Sequence, residues 1–415
     1  MNANSAPDGD ATAAPAGDGG ACDGDGGACD GHLASDRSAS GDGEDVATDG
    51  GAETRTGAVS DEAARELLVD LISIPSPTGE EAEAAERLAA FFEANDRDVR
   101  IDEVGNVRAP ADDSVLLTSH VDTVPGEIPV EIADSEYDPE ADPVRAGDAL
   151  WGRGSVDATG PLAAMAVAAV RTGVSFVGVV GEETDSRGAR YLIDDRERAP
   201  DAVINGEPSG WDGLTLGYRG FLAGTYEAAT ASAHTSRPEP NAIQRAIRWW
   251  SRVEDAVATE GDVPVFETVT AKPVAVDGGA GADGLSVEAT MDVQLRIPPS
   301  TDAETVREVA AGELESGSVG WREPIPPVME SPRTDVARAF RVAIRAAGGD
   351  PRLLRKTGTS DMNLFAAAWD RPMATYGPGD SELDHAPNEH LALEEYDRSI
   401  AVLEDVATRL RGGGE

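Results

Sequence analysis

The sequence predicts an α/β protein: a mixed, mostly parallel sheet flanked by helices, with a ferredoxin-like α+β unit inserted into it. Three observations predict this. Apolar runs of strand length alternate with amphipathic helical stretches over residues 60–214, and again after 330. Between them, residues 215–322 follow the order β-α-β-β-α-β, a split βαβ unit. Residues 1–57 are Gly, Ala, Asp and Ser with almost no large apolar side chain, too little to offset the entropy of ordering. The chain divides into a disordered acidic tail (1–57), a first part of the large domain (58–214), the inserted unit (215–322) and a second part of the large domain (323–415).

Order is expected from Ser60, a helix N-cap followed by Asp61 and Glu62 in the first turn and by the stripe Ala64, Leu67, Leu68, Leu71. A second helix spans about 80–94, with Ala82, Ala85, Leu88, Ala89 and Phe92 on one face. A buried strand follows at 114–118, a helix at 162–172 closed by Gly173, a strand at 174–180, a short helix at 187–194 and a strand at 201–204. In the inserted unit the pattern predicts one long strand over 216–231, a helix over 241–257, strands over 266–276 and 285–297, a helix over 303–314 and a last strand near Val319.

Charge and composition exclude several classes of function. Of 415 residues, 78 are Asp or Glu and 34 are Lys or Arg, a net charge of −44. Such a chain cannot bind nucleic acid by neutralising phosphates, and an anionic membrane surface repels it. Lysine occurs only at Lys272 and Lys356, arginine supplying the remaining basic residues. Acid excess with so little lysine suggests a halophilic, salt-rich cytoplasm, where molar salt screens self-repulsion within about 3 Å. Cys22 and Cys29 both lie in the tail, so no disulfide framework or thiol chemistry is expected in the body. With His32 they belong to a Gly-Asp repeat, which we read as a repeat and not a metal site. The longest apolar run, 162–170, is far short of the ~18 residues of a membrane span, and the N-terminus lacks the basic and apolar regions of a signal peptide. A soluble, cytoplasmic protein is expected.

The chemistry lies where strands end. His120 and Asp122 follow the strand at 114–118; Glu182 and Glu183 follow 174–180; Glu207 follows 201–204. Asp157 sits in the glycine-rich loop Trp-Gly-Arg-Gly-Ser-Val-Asp, and His385 in Asp-Ser-Glu-Leu-Asp-His-Ala-Pro before the last helix. Open α/β sheets bind ligands at the carboxyl ends of their strands. Carboxylates crowded there cannot all stay ionised without cations. A mixed His/carboxylate set suits zinc or a similar divalent ion, and one bridging carboxylate lets it hold two ions about 3.5–4 Å apart. No G-x-S-x-G elbow, Walker loop or body cysteine competes. Glu182–Glu183 alone would be a solvated pair, and His390 is read as exposed near the last helix.

The segments Leu-Leu-Thr-Ser-His-Val-Asp-Thr-Val-Pro-Gly, Gly-Arg-Gly-Ser-Val-Asp-Ala-Thr-Gly-Pro-Leu-Ala and Gly-Glu-Glu-Thr resemble the dinuclear-metal aminoacylase/carboxypeptidase family. That family includes acetylornithine and succinyl-diaminopimelate deacylases, and the likeness runs over about 60–412. The resemblance implies two divalent ions, Zn2+ or alternatively Co2+. His120 and Glu207 would hold one, Glu183 and His385 the other, and Asp157 would bridge them, with Asp122 orienting His120. It implies amide hydrolysis with Glu182 as general base. His234, in Ser-Ala-His-Thr-Ser-Arg-Pro, would reach the neighbouring subunit's site in a homodimer formed through the inserted unit and stabilise the oxyanion.

Lys-Thr-Gly-Thr-Ser-Asp-Met-Asn from Lys356 and Tyr-Gly-Pro-Gly-Asp-Ser-Glu-Leu-Asp-His from Tyr376 look like a narrower branch. That branch releases lysine or ornithine from the C-terminal glutamate of a small acidic amino-group carrier protein of the LysW type. Lys356 and Arg219 are candidate readers of a substrate carboxylate. The alternatives are a deacylase of small N-acyl amino acids, a metallo-carboxypeptidase and, more remotely, an inert metal-binding protein. An acidic carrier should be repelled by an acidic enzyme in dilute buffer, so activity is expected to rise with salt.

Overall fold

The computed structural model describes residues 59–134, 148–234, 236–259, 261–282 and 284–412. The expected tail at 1–57, with Cys22, Cys29 and His32, lies outside them. Strands Val174–Val179, Asp112–His120, Val203–Gly206 and Met373–Thr375 lie side by side in that order, each parallel to its neighbour, in the middle of the larger sheet. Flanking pairings mix directions. Val107–Ala109 runs antiparallel to Val174–Val179, while Gly213–Tyr218 takes Arg352–Lys356 in parallel and Val328–Met329 antiparallel. The result is an α/β fold with a mixed sheet.

Alternation along the central strands feeds two cores. Val115 and Leu117 face the helices Asp61–Ile72, Ala82–Ala94, Thr159–Thr172, Asp335–Ala346 and Leu393–Gly412, packed through Leu67, Leu88, Phe92 and Phe340. Leu116 faces the opposite side, where Arg187–Asp195 and Asp361–Ala368 pack through Leu192, Met362 and Phe365. Ser60 caps the first helix by accepting from the Ala63 N–H at 3.2 Å. Gly173 ends Thr159–Thr172 with φ +71°, a conformation that favours glycine.

A separate smaller sheet orders Thr270–Ala280, Ser286–Ile297, Gly220–Ala231 and Ser318–Trp321, all antiparallel. Helices Ala242–Val257 and Ala303–Gly312 cover one of its faces. Tyr226 stacks on Trp249 at 4.8 Å, and the Trp249 indole donates to the Ala310 carbonyl. Asn241 and Gln244 form a capping box on the first of these helices.

Three elements depart from the sequence expectation. The long strand over 216–231 is two strands, Gly213–Tyr218 in the larger sheet and Gly220–Ala231 in the smaller, broken at Arg219. There the Arg219 N–H turns to the Lys356 carbonyl, and the chain changes sheets. The strand expected at 266–276 begins at Thr270, because Val265–Glu267 forms a 3-10 turn that buries Phe266. His390 is half-buried, not exposed: it lies in a short strand, His390–Ala392, paired with Asp148–Trp151 in a small third sheet, and stacks on Trp151 at 4.3 Å. Among the described residues, no helix is long and apolar enough to cross a membrane.

Candidate metal centre

The four parallel strands deliver their polar ends to one place. His120 is the last residue of its strand, Glu182 and Glu183 stand in the turn after Val179, and Glu207 follows Gly206. The segment after Met373–Thr375 leads to His385, held at φ +60°. Asp157 comes from the turn-rich loop before helix Thr159–Thr172.

The ligand-type atoms meet around Asp157. Its Oδ1 lies 3.2 Å from His120 Nε2, and its Oδ2 lies 3.1 Å from His385 Nε2. His385 Nε2 is also 3.1 Å from Glu183 Oε2, and His120 Nε2 is 4.0 Å from Glu207 Oε1. Two groups result, His120–Asp157–Glu207 and Asp157–Glu183–His385, each offering ligand atoms within 4.8 Å of one another and sharing one aspartate. Imidazole and carboxylate together are a donor set that fits two divalent cations.

Asp122 organises the turn beside them. Its Oδ1 accepts from the Glu182 N–H at 3.0 Å, and its Oδ2 from the Glu183 N–H at 3.2 Å and the Thr78 hydroxyl at 2.7 Å. The contact to His120 Nδ1 comes from the Asp122 main-chain carbonyl at 2.8 Å, the carboxylate standing 3.7 Å away. The turn carrying both glutamates is thereby tied to the strand end carrying the histidine.

The electrostatics follow from crowding. Burial, then the nearby Glu207 charge, pushes Glu182 well above the usual carboxylate range. Burial does the same to Glu207, against the pull of His120. Asp157 goes the other way: its burial is outweighed by the hydrogen bonds of His120 and His385. Its own hydrogen bond, then that of Glu183, pushes His385 up to about 10. His120 is raised well above the ordinary histidine value, since Asp157, Glu207 and Glu182 outweigh burial. Burial and then the Asp157 charge push Asp384 up to about 8, against the pull of Lys356.

Asp157, Glu182, Glu183, Glu207, Asp384 and His385 form the floor of a cleft of about 620 Å³ between the two sheets, with His120 buried behind them. Gln294, Arg296 and Arg322 line its other wall, and Lys356 lies at its side with Nζ 2.9 Å from the Pro208 carbonyl. Arg296 packs over the Phe221 ring at 4.6 Å and reaches Thr359 Oγ1 at 3.3 Å. Arg219 does not line the cleft. Its guanidinium donates to the Thr357 and Val265 carbonyls at 2.9 and 3.2 Å and to Thr270 Oγ1 at 2.9 Å, where it braces the main chain beside the cleft. His234 is exposed at the end of the small sheet, its Nδ1 2.8 Å from Ser236 Oγ, and is not among the described residues lining this cleft.

Sequence reasoning missed Arg296 and Glu389. Alternation held a signal for the first, since Met291, Val293, Leu295 and Ile297 are buried and Arg296 must face away from that core. Glu389 gave none. It is buried, accepts from the Val156 and Asp157 N–H groups at 2.9 and 3.0 Å, and pairs with Arg153 at 2.7 Å.

The family model for peptidase family M20/M25/M40 matches residues 116–409, which include every residue of both groups. The chain belongs to this family. It is a metal-dependent amide hydrolase, as the family and the two candidate cation groups together require. Among its relatives, the LysW-lysine hydrolase of Deinococcus radiodurans is 39% identical over 375 residues, covering 85% of this chain and 98% of the relative. The LysW-lysine/LysW-ornithine hydrolase of Sulfurisphaera tokodaii is 29% identical over 339 residues, covering 80% and 91%. An M20 metallo-carboxypeptidase from Sulfolobus solfataricus shares the fold, with a TM-score of 0.66 at 19% identity over 84% of this chain and 99% of that one.

Proposed function

We propose that this M20 enzyme releases lysine or ornithine from the C-terminal glutamate of a LysW-type amino-group carrier protein by hydrolysing the amide that links them. The observation that carries the substrate is the 39% identity to a LysW-lysine hydrolase across 98% of that relative. We assign His120 and Glu207 to one cation, Glu183 and His385 to the other, and Asp157 to both. The division of the Asp157 oxygens between the two histidines supports this. Zinc is the first choice for such donors, and cobalt is the alternative. A bound pair would polarise the amide and acidify a water.

Glu182 would act as the general base, taking a proton from the water whose oxygen adds to the amide carbon and passing it to the amine as the C–N bond breaks. Burial that raises its proton affinity, and its place in the cleft, support the role. Asp122 fixes the turn that presents it. Lys356 and Arg296, on different walls, supply positive charge for the carboxylates of the substrate.

The smaller sheet is read as a ferredoxin-like insert that begins at Arg219, supported by its strand order. It serves as a dimer interface: Thr270–Ala280 is an edge strand with Val274 and Val276 exposed, a template for a second copy. His234, exposed beyond its own cleft, then acts on the oxyanion in the partner's site. We place the enzyme in a salt-rich cytoplasm, on the strength of its acid excess.

The test is mass spectrometry of carrier conjugates of lysine and ornithine incubated with enzyme in molar KCl, with and without a chelator. The expected result is loss of the amino acid from the carrier, abolished by the chelator. Intact conjugates alongside cleaved acetylornithine or succinyl-diaminopimelate would assign it to small-molecule deacylases. No turnover of any of these by the metal-loaded chain would overturn the carrier assignment and leave the metallo-carboxypeptidase reading, tested by release of C-terminal residues from peptides.

A further inference from the structure

Asp157 has an unusual task for a loop residue. Its two carboxylate oxygens must face two different histidines at 3.2 and 3.1 Å, yet it stands in a run of turns with no ladder hydrogen bonds to fix it. What fixes it is Glu389. One carboxylate oxygen, Oε1, accepts from the main-chain N–H groups of Val156 and Asp157 at 2.9 and 3.0 Å. The other, Oε2, accepts from Arg153 Nη1 at 2.7 Å. The Glu389 side chain is 1% exposed and that of Arg153 15%, so the pair is desolvated.

Arg153 extends the brace. Its Nη1 also donates to the Ala386 carbonyl, next to His385, at 3.3 Å, and its Nε to the Gly126 carbonyl at 3.3 Å. The Glu389 carbonyl in turn accepts from the Gly152 N–H at 3.4 Å. One ion pair therefore ties the loop of Asp157 to the loop of His385. Because the pair is neutral as a unit, it adds no net charge beneath an already acid-rich site.

We propose that Glu389 and Arg153 are positioning residues that hold Asp157 in the bridging pose, and that without them the chain keeps one cation and loses its grip on the second. The inference rests on the assignment of Asp157 to both cations. Outer hydrogen-bond partners of metal ligands are typically worth 10- to 100-fold in metal affinity. Glu389→Gln preserves shape but turns an amide donor, or loses an acceptor, toward either the main-chain N–H groups or the guanidinium. Arg153→Gln leaves both main-chain bonds of Glu389 and removes the tie to Ala386.

The experiment is titration of the metal-free full-length chain with Co2+, followed by calorimetry and cobalt absorption, for wild type and both variants. Wild type should bind two ions. Glu389→Gln should bind the first within a few-fold of wild type and the second about 10- to 100-fold more weakly. Its turnover should fall at limiting cobalt with KM unchanged, and excess cobalt should restore it. Should Glu389→Gln fail to fold, Arg153→Gln decides alone. Two ions bound at wild-type affinity in the variants would overturn the proposal. So would equal weakening of both ions or failure of excess cobalt to rescue, since a general fold defect does that. A wild-type chain that binds fewer than two ions would instead remove the assignment of Asp157 on which the brace depends.

Discussion

Glu182 and Glu183 are neighbours with opposite surroundings. Glu183 lies 3.1 Å from His385, while Glu182 faces Glu207 and Asp361 across a buried space that raises its affinity for a proton. Glu182→Ala is therefore expected to lower kcat by 100-fold or more, the usual range for a general base, while cation content stays at the wild-type value. Steady-state kinetics beside metal analysis of the purified variant check this, and near-wild-type turnover would take the residue out of its role. The histidines set a pH dependence. In the metal-free chain His385, pushed up to about 10, keeps its proton at neutral pH, and a cation must displace it. Apparent affinity should then rise with pH, close to tenfold per unit for each proton released, and level off above about 10. Calorimetric titrations in buffers of different ionisation enthalpy count those protons; affinity that fell with rising pH would contradict the assignment.

At the scale of elements, the helix Arg187–Asp195 locks the turn of the two glutamates. A Cβ on Gly188 would lie 2.4 Å from the Val180 nitrogen and 2.6 Å from its oxygen, main-chain atoms that cannot swing aside. Gly188→Ala should cost about 1–3 kcal/mol, read by urea unfolding, and lower turnover by displacing the turn. Most elements were legible because apolar period and capping residues agree, as at Ser60 and Gly173. The cation groups were legible for a related reason: His120, Glu183 and Glu207 interrupt apolar strands at their carboxyl ends, where polar residues are not needed for folding. The break at Arg219 was not, since apolar alternation continues across it and only the distant partners, Lys356 before it and Ile297 after it, put the two halves in different sheets. Glu389 escaped for want of any local mark. An acid in a polar loop looks solvated, and its partners Val156 and Asp157 are more than 200 positions away in the chain.

On the scale of the molecule, a net charge of −44 works against compactness in dilute buffer. Both the unfolding midpoint and turnover on the carrier are expected to climb from dilute buffer to molar KCl, as screening shortens to a few Å. Thermal melts and conjugate assays over a KCl series test this, and an optimum in dilute buffer would refute it.

The single-residue join at Arg219 has a mechanical corollary. The strand forming one wall of the cleft runs, one residue later, into the sheet that carries the other wall, and the Arg219 side chain is bonded to Thr357 on one side of the join and to Val265 and Thr270 on the other. Such an elbow resists twisting, so the gap into which a substrate must slide is gauged by one arginine's reach.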